Sequence, residues 1–120
     1  MLVLVVDDAV ESADTLGTLL EIHGYSVAVA YDGPSALAAA AADRPNAGVL
    51  DLALPGMDGF ELARQLREQH GASLRLIAYT GWADDGTKQR ALLVGFDVFV
   101  TKPASLDVLV HALGDESLRK

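Results

Sequence analysis

Five polar side chains stand just beyond apolar runs or close them. Asp7 and Asp8 follow Leu2–Val6, Asp51 follows Ala47–Leu50, Thr80 follows Leu74–Tyr79, and Lys102, ahead of Pro103, ends the stretch that begins at Asp97. If these runs lie side by side, carboxylates far apart in the chain converge. Three clustered carboxylates repel one another and hold raised pKa values unless a cation neutralises them. A hard divalent ion with oxygen ligands meets that need. Mg2+ fits better than Zn2+, because the chain has no Cys, no His falls on the proposed rim, and Mg2+ accepts one or two carboxylates with water and phosphate oxygens. An ammonium and a hydroxyl on the same rim make it complementary to a phosphoryl group. A carboxylate is a competent nucleophile there, while metal, Lys102 and Thr80 hold the oxygens of a planar transferring PO3 group.

The elements that must position these groups follow from periodicity. Leu2–Val6 is apolar without alternation, which fits a strand buried on both faces. From Glu11 to His23, Ala13, Leu16, Leu19 and Leu20 recur at helical spacing, and Gly24 stands where a left-handed cap would end the helix. Tyr25, Val27 and Val29 alternate with Ser26, Ala28 and Ala30, which predicts a less buried strand at a sheet edge. Asp32-Gly33-Pro34 supplies a turn, and Ser35–Ala42 is alanine-rich helix former that ends before Arg44-Pro45. Strands over Ala47–Leu50, Leu74–Tyr79 and Asp97–Thr101 then alternate with helices over Phe60–His70, Asp85–Val94 and Leu106–Leu113, with Gly71, Gly95 and Gly114 after them. Five strand-helix alternations predict an α/β domain whose mainly parallel sheet carries helices on both faces, since βαβ crossovers are right-handed. Ligands of such sheets gather at the carboxyl ends of the strands, where the strand order reverses. In the order 2-1-3-4-5 the first and third strands are neighbours, so Asp7, Asp8 and Asp51 meet.

Composition narrows the classes. The 120 residues suit one domain spanning 1–120, and 51% apolar against 22% charged residues allow a buried core. Seventeen acidic and nine basic residues give a net charge of −8, which repels phosphate backbones and anionic lipid and argues against nucleic-acid and membrane partners. Without Cys there is no disulfide or thiolate chemistry. The opening run is shorter than a signal core of roughly 7–15 residues, and nothing resembles a spanning segment of roughly 20, so the expected location is cytoplasmic. Neither GxGxxG nor GxxxxGK[ST] occurs.

VVDD at Val5–Asp8, the stretch Leu50–Gly59, Thr80-Gly81 and Thr101-Lys102-Pro103 together resemble a response regulator receiver domain of two-component signalling, over essentially the whole chain. The resemblance implies a CheY-like, flavodoxin-like fold with five parallel strands in the order 2-1-3-4-5. It implies Asp51 as the phosphoacceptor, Asp8 as a direct Mg2+ ligand, Asp7 as a ligand acting mainly through water, and Ala53 as a ligand through its backbone carbonyl. Lys102 would pair with the phosphoryl group, Thr80 would swing towards it, Phe99 would turn inward on activation, and the Lys102-Pro103 peptide would be cis. Leu54-Pro55-Gly56 and Asp58-Gly59 would shape the metal pocket. Ala53 and Trp82, two places beyond the acceptor and the threonine, would border the path of the hydrolytic water, with Trp82 screening the phosphoryl group and small Gly81 leaving it room. The domain would catalyse its own Mg2+-dependent phosphorylation and dephosphorylation. Its donor would be a sensor histidine kinase or a histidine phosphotransfer protein. A downstream protein target, or a second copy in a weak homodimer, would read the fourth helix, fifth strand and fifth helix.

Each residue also has a plainer reading. Asp7-Asp8 alone reads as a helix-capping pair, and Asp58, Asp84 and Asp85 precede helices as caps. Phe99 reads as edge-strand packing, and Trp82 as a loop residue over the fourth helix. His23, His70 and His111 lack metal-ligand spacing and read as surface residues. Leu106, Val108, Leu109, Val110 and Leu113 exceed a narrow stripe; packing accounts for most of them, and the excess would mark a partner face. A receiver-like interaction module that is never phosphorylated is the alternative function, disfavoured because Asp7, Asp8, Asp51, Thr80 and Lys102 are all intact. A dehalogenase-type phosphatase is disfavoured because Asp51 is followed by Leu52-Ala53 rather than by the DxD pattern. Val3–Leu20, Thr80-Gly81-Trp82 and the closing helix look somewhat more like receivers attached to hybrid histidine kinases than like free regulators.

Overall fold

The computed structural model describes residues 1–114. The last six residues of the expected 1–120 domain lie outside the described residues. Strands β1 (Leu2–Val6), β2 (Ser26–Ala30), β3 (Ala47–Leu50), β4 (Arg75–Thr80) and β5 (Val98–Thr101) alternate with helices α1 (Val10–Ile22), α2 (Gly33–Asp43), α3 (Gly59–His70), α4 (Asp85–Val94) and α5 (Leu106–Ala112). The sheet is parallel throughout and ordered β2-β1-β3-β4-β5.

Pleating sends successive side chains to opposite faces, so a strand covered on both sides must be apolar at every position. Val3 and Val5 of β1 join Val49, Ile77 and Val100 beneath α1 and α5, where Ala13, Leu20, Leu109, Val110 and Leu113 close the core. Leu4 and Val6 face the other way, with Leu50, Leu76 and Ala78, against Ala36 and Ala40 of α2, Phe60, Leu62 and Leu66 of α3, and Ala91 of α4. β2 lies at the edge with only Ala30 fully buried, as its alternation predicts.

Local chemistry sets the ends. Asp32, Asp58, Asp84 and Ser105 accept hydrogen bonds from the backbone amides of Ser35, Glu61, Thr87 and Val108, each satisfying an orphan donor of a first helical turn. Asp85, expected among the caps, is instead the first residue of α4. Gly24, Gly71, Gly95 and Gly114 all have positive φ where helices end. α2 departs from this pattern: Arg44 itself takes the left-handed conformation (φ 48°, ψ 68°), and its amide donates to the Ala40 carbonyl. Proline at 45 disfavours right-handed helical geometry for Arg44, and no glycine is present to turn in its place.

One packing expectation is corrected and another is met. Leu19 is 40% exposed, and Gly17 occupies the packing face of α1, where a Cβ would come within 3.1 Å of Val29 and 3.3 Å of Val27. Close approach of α1 to the edge strand displaces the larger residue. Among the apolar residues of α5 Val108 alone is exposed, at 48%, so packing accounts for most of them, as expected. No helix among the described residues is long and apolar enough to cross a membrane.

Candidate functional site

Hydrogen bonding between strands extends one residue past β1, β3 and β5. The amide of Asp7 donates to the Ala30 carbonyl at 3.2 Å, that of Asp51 to Val6 at 2.9 Å, and that of Lys102 to Thr80 at 2.8 Å. Asp7, Asp51 and Lys102 are therefore fixed through their backbones at the rim. Asp7, Asp8 and Asp51 each offer a carboxylate oxygen within 4.8 Å of the others. The Lys102 Nζ bridges two of them, donating to Asp7 Oδ2 at 2.7 Å and to Asp51 Oδ2 at 2.9 Å. The side chains of Asp7, Asp51 and Lys102 are only 10%, 12% and 28% exposed, so this network is weakly screened by water.

The remaining oxygens are placed by local turns. Asp7 Oδ1 accepts from the Ala9 amide at 2.9 Å, and Asp51 Oδ1 from the Ala53 amide at 3.1 Å. Asp7-Asp8 does not cap α1, whose N-cap is Ala9 with no side-chain hydrogen bond. Asp8 is exposed, and no hydrogen bond to its carboxylate is found among the described residues. Burial disfavours the Lys102 ammonium, but its hydrogen bonds to Asp7 and Asp51 outweigh that and raise its pKa above the ordinary lysine value. Three carboxylates against one ammonium leave a formal surplus of two negative charges. An all-oxygen donor set carrying such a surplus fits a hard divalent cation.

Thr80 closes β4 on the same rim and is 1% exposed. Its hydroxyl accepts from the Trp82 amide at 3.3 Å and makes no hydrogen bond to the acidic cluster. A Cβ at Gly81 would meet nothing within 4 Å, so space is open beside it. Trp82 is 48% exposed. Phe99 is half-buried on the sheet face covered by α2, α3 and α4, with the Lys88 Nζ 5.9 Å from its ring centroid. The Lys102-Pro103 peptide is cis. His23 and His111 are exposed, whereas His70 is half-buried and its Nε2 is buried without a hydrogen-bond partner among the described residues.

Two further residues shape the site: Gly59, expected at the metal pocket, and Tyr79, which lies outside the residues singled out from the sequence. A Cβ at Gly59 would fall 2.6 Å from the Leu52 Cα and would collide with the Asp51 carbonyl, so only glycine lets the start of α3 approach the acceptor strand. Tyr79 lies beside Lys102, its ring centroid 5.3 Å from Nζ, and its hydroxyl accepts from the Ala104 amide at 3.3 Å. The Asp58-Gly59 dipeptide signals Gly59 in the sequence; nothing links Tyr79 to residues 102–104 before folding. Behind the rim, a cavity of about 470 Å3 between α1 and α5 is lined in part by Asp7, Asp51, Lys102, Tyr79, Leu16 and Leu109.

The family model for response regulator receiver domains matches residues 3–114. The response regulator MprA of Mycobacterium avium is 39% identical over 110 residues, which cover 92% of this chain and 48% of that protein. The chain thus spans about half the length of this curated relative. Vibrio cholerae chemotaxis protein CheY4 superimposes with a TM-score of 0.89 at 30% identity, covering 94% of this chain and 95% of that one. A Burkholderia pseudomallei response regulator, whose structure holds a phosphorylated aspartic acid, a calcium ion and citrate, gives 0.89 at 30% identity over 98% of this chain and 69% of that one.

Proposed function

The chain belongs to the response regulator receiver domains of two-component signalling, and from that premise we propose that Asp51 accepts a phosphoryl group in a Mg2+-dependent reaction that switches a protein-binding surface. The observation that carries this reading is the convergence of Asp7, Asp8 and Asp51 within 4.8 Å, with Lys102 hydrogen-bonded to two of them. A phosphorylated aspartic acid and a calcium ion in the Burkholderia relative support it.

The donor is the phosphohistidine of a sensor histidine kinase or a histidine phosphotransfer protein. An Asp51 carboxylate oxygen bonds to phosphorus as the P–N bond breaks, and the departing imidazole takes up a proton. When bound, Mg2+ neutralises the carboxylates and the phosphoryl oxygens. Asp8 would hold it directly, its carboxylate having no hydrogen-bond partner among the described residues. Asp7, whose oxygens accept from the Ala9 amide and the Lys102 ammonium, would act mainly through water. The Ala53 backbone carbonyl would complete the protein's share. Lys102 exchanges a carboxylate for a phosphoryl oxygen, and Thr80 releases the Trp82 amide to donate to another. Ala53 and Trp82 border the approach of the water that later hydrolyses the acyl phosphate.

The signal leaves through α4, β5 and α5, towards a downstream protein or a second copy in a weak homodimer. α4 is suited to move: Ala91 is its one fully buried residue, and Arg90 and Lys88 rest on the rings of Phe60 (3.9 Å) and Phe99 (5.9 Å). Phe99 turns inward as Thr80 moves, and phosphorylation shifts the population between the two arrangements. The setting is the cytoplasm, with residues 1–120 acting as one receiver unit.

The test is an NMR and Trp82 fluorescence titration with acetyl phosphate or a fluoroberyllate mimic, each with and without Mg2+. The expected outcome is a Mg2+-dependent response that Asp51→Asn abolishes while keeping the fold. Lack of response in the wild type would overturn the reading in favour of an interaction module that is never phosphorylated.

A further inference from the structure

β4 ends on two residues that hold the lysine-bearing segment from opposite sides of Pro103. The Thr80 carbonyl accepts from the Lys102 amide at 2.8 Å, and the Tyr79 hydroxyl accepts from the Ala104 amide at 3.3 Å. The Tyr79 ring also lies 5.3 Å from the Lys102 Nζ. Two of the three ammonium protons are taken by Asp7 and Asp51. Lysine is a point charge on a flexible four-carbon stem, so two carboxylates alone leave its head free to swing. An aromatic face attracts the cation through its quadrupole without accepting a directed hydrogen bond. It can therefore confine Nζ and still let the ammonium change acceptors. Mere filling of the α1–α5 core would need neither the hydroxyl nor an aromatic face, since Val98 and Leu106 pack in the same cluster as aliphatic residues.

We infer that Tyr79 is a positioning residue for phosphoryl transfer to Asp51, its ring confining the Lys102 ammonium over the acidic cluster and its hydroxyl fixing the backbone at Ala104. The inference rests on the reading of Asp51 as phosphoacceptor. Tyr79 itself touches neither the metal ligands nor the reacting carboxylate in any hydrogen bond of the structure, so its effect runs through Lys102.

The experiment compares the full chain with Tyr79→Phe, which keeps the ring, and Tyr79→Leu, which removes ring and hydroxyl. In the wild type and Tyr79→Phe the Lys102 ε-methylene protons should be shifted upfield by the ring, returning to ordinary lysine values in Tyr79→Leu. With acetyl phosphate and saturating Mg2+, phosphorylation should slow about tenfold in Tyr79→Leu and about two- to threefold in Tyr79→Phe. Calorimetric Mg2+ affinity should stay unchanged in both. In a Lys102→Ala background, Tyr79→Leu should slow the reaction no further. An equal tenfold loss in that background, an unshifted wild-type methylene, or a wild-type rate in Tyr79→Leu would each overturn the inference while leaving Asp51 as acceptor. A wild type that takes no phosphoryl group would instead remove the underlying reading, and any role for Tyr79 in transfer with it.

Discussion

The two ends of the sheet solve the same problem in opposite ways. At the amino ends of the strands, the Arg67 guanidinium donates to the carbonyls of Gly71, Leu74 and Gly95 and to Asp97 Oδ2, which also accepts from the Leu76 amide. One cation meets one carboxylate and a set of carbonyls, and the charge closes on itself. At the carboxyl ends, three carboxylates share one lysine, and a negative surplus stays unmet. A closed network ties α3, the start of β4 and the α4–β5 junction together, whereas an open one stores repulsion that only a ligand relieves. Stability and function thus sit at opposite edges of one sheet.

Removing the central cation of the closed end should have the largest effect. Arg67→Ala is expected to lower the unfolding free energy by about 2–4 kcal/mol, because the part-buried hydrogen bonds to Leu74 and Gly95 are lost together with those to Gly71 and Asp97. A urea titration measures this, with phosphorylation of the folded variant preserved. A loss of only about 0–1 kcal/mol, the range of an exposed ion pair, would erase the contrast between the two ends. The open end should respond with the opposite sign. Without divalent metal, Asp8→Asn is expected to raise stability by about 1 kcal/mol, since it removes one of the mutually repelling charges. The same denaturation experiment would count against a repulsive rim if the variant were less stable than the wild type.

A smaller effect belongs to the exposed surface between the two ends. Hydrogen bonds from Arg64, and then Gln65, hold the Glu61 carboxyl down at about 2, against its ordinary 4.5. A depressed folded-state pKa stabilises fully above the unfolded value, and the gain disappears as pH falls through the folded one. Urea midpoints of wild type and Glu61→Gln should therefore differ slightly at pH 7 and converge as pH falls from 4.5 to about 2. Curves that stay parallel down to pH 2 would show that Arg64 does not hold that carboxylate.

Much of this was legible in the chain. The unalternating Leu2–Val6 run belongs to a strand covered on both faces, and the alternating Ser26–Ala30 segment to an edge strand, since burial on one or two sides sets the period. Asp58 and Asp84 cap helices as local side-chain chemistry dictates. What failed depended on neighbours distant in sequence. Leu19 yielded its packing place to Gly17 because β2 runs close to α1.

The same boundary runs through the site. Residue types and local spacing determined that Asp7, Asp8, Asp51, Thr80 and Lys102 stand at element ends, because hydrophobic period and turn chemistry act within a few residues. That Asp7 is locked by Lys102 while Asp8 stays unpaired among the described residues, that Thr80 is held by the Trp82 amide, and that Tyr79 flanks the lysine were decided only by the tertiary structure. These contacts depend on strand register and on which face each side chain takes, and both are settled by the packing of the whole sheet against its helices.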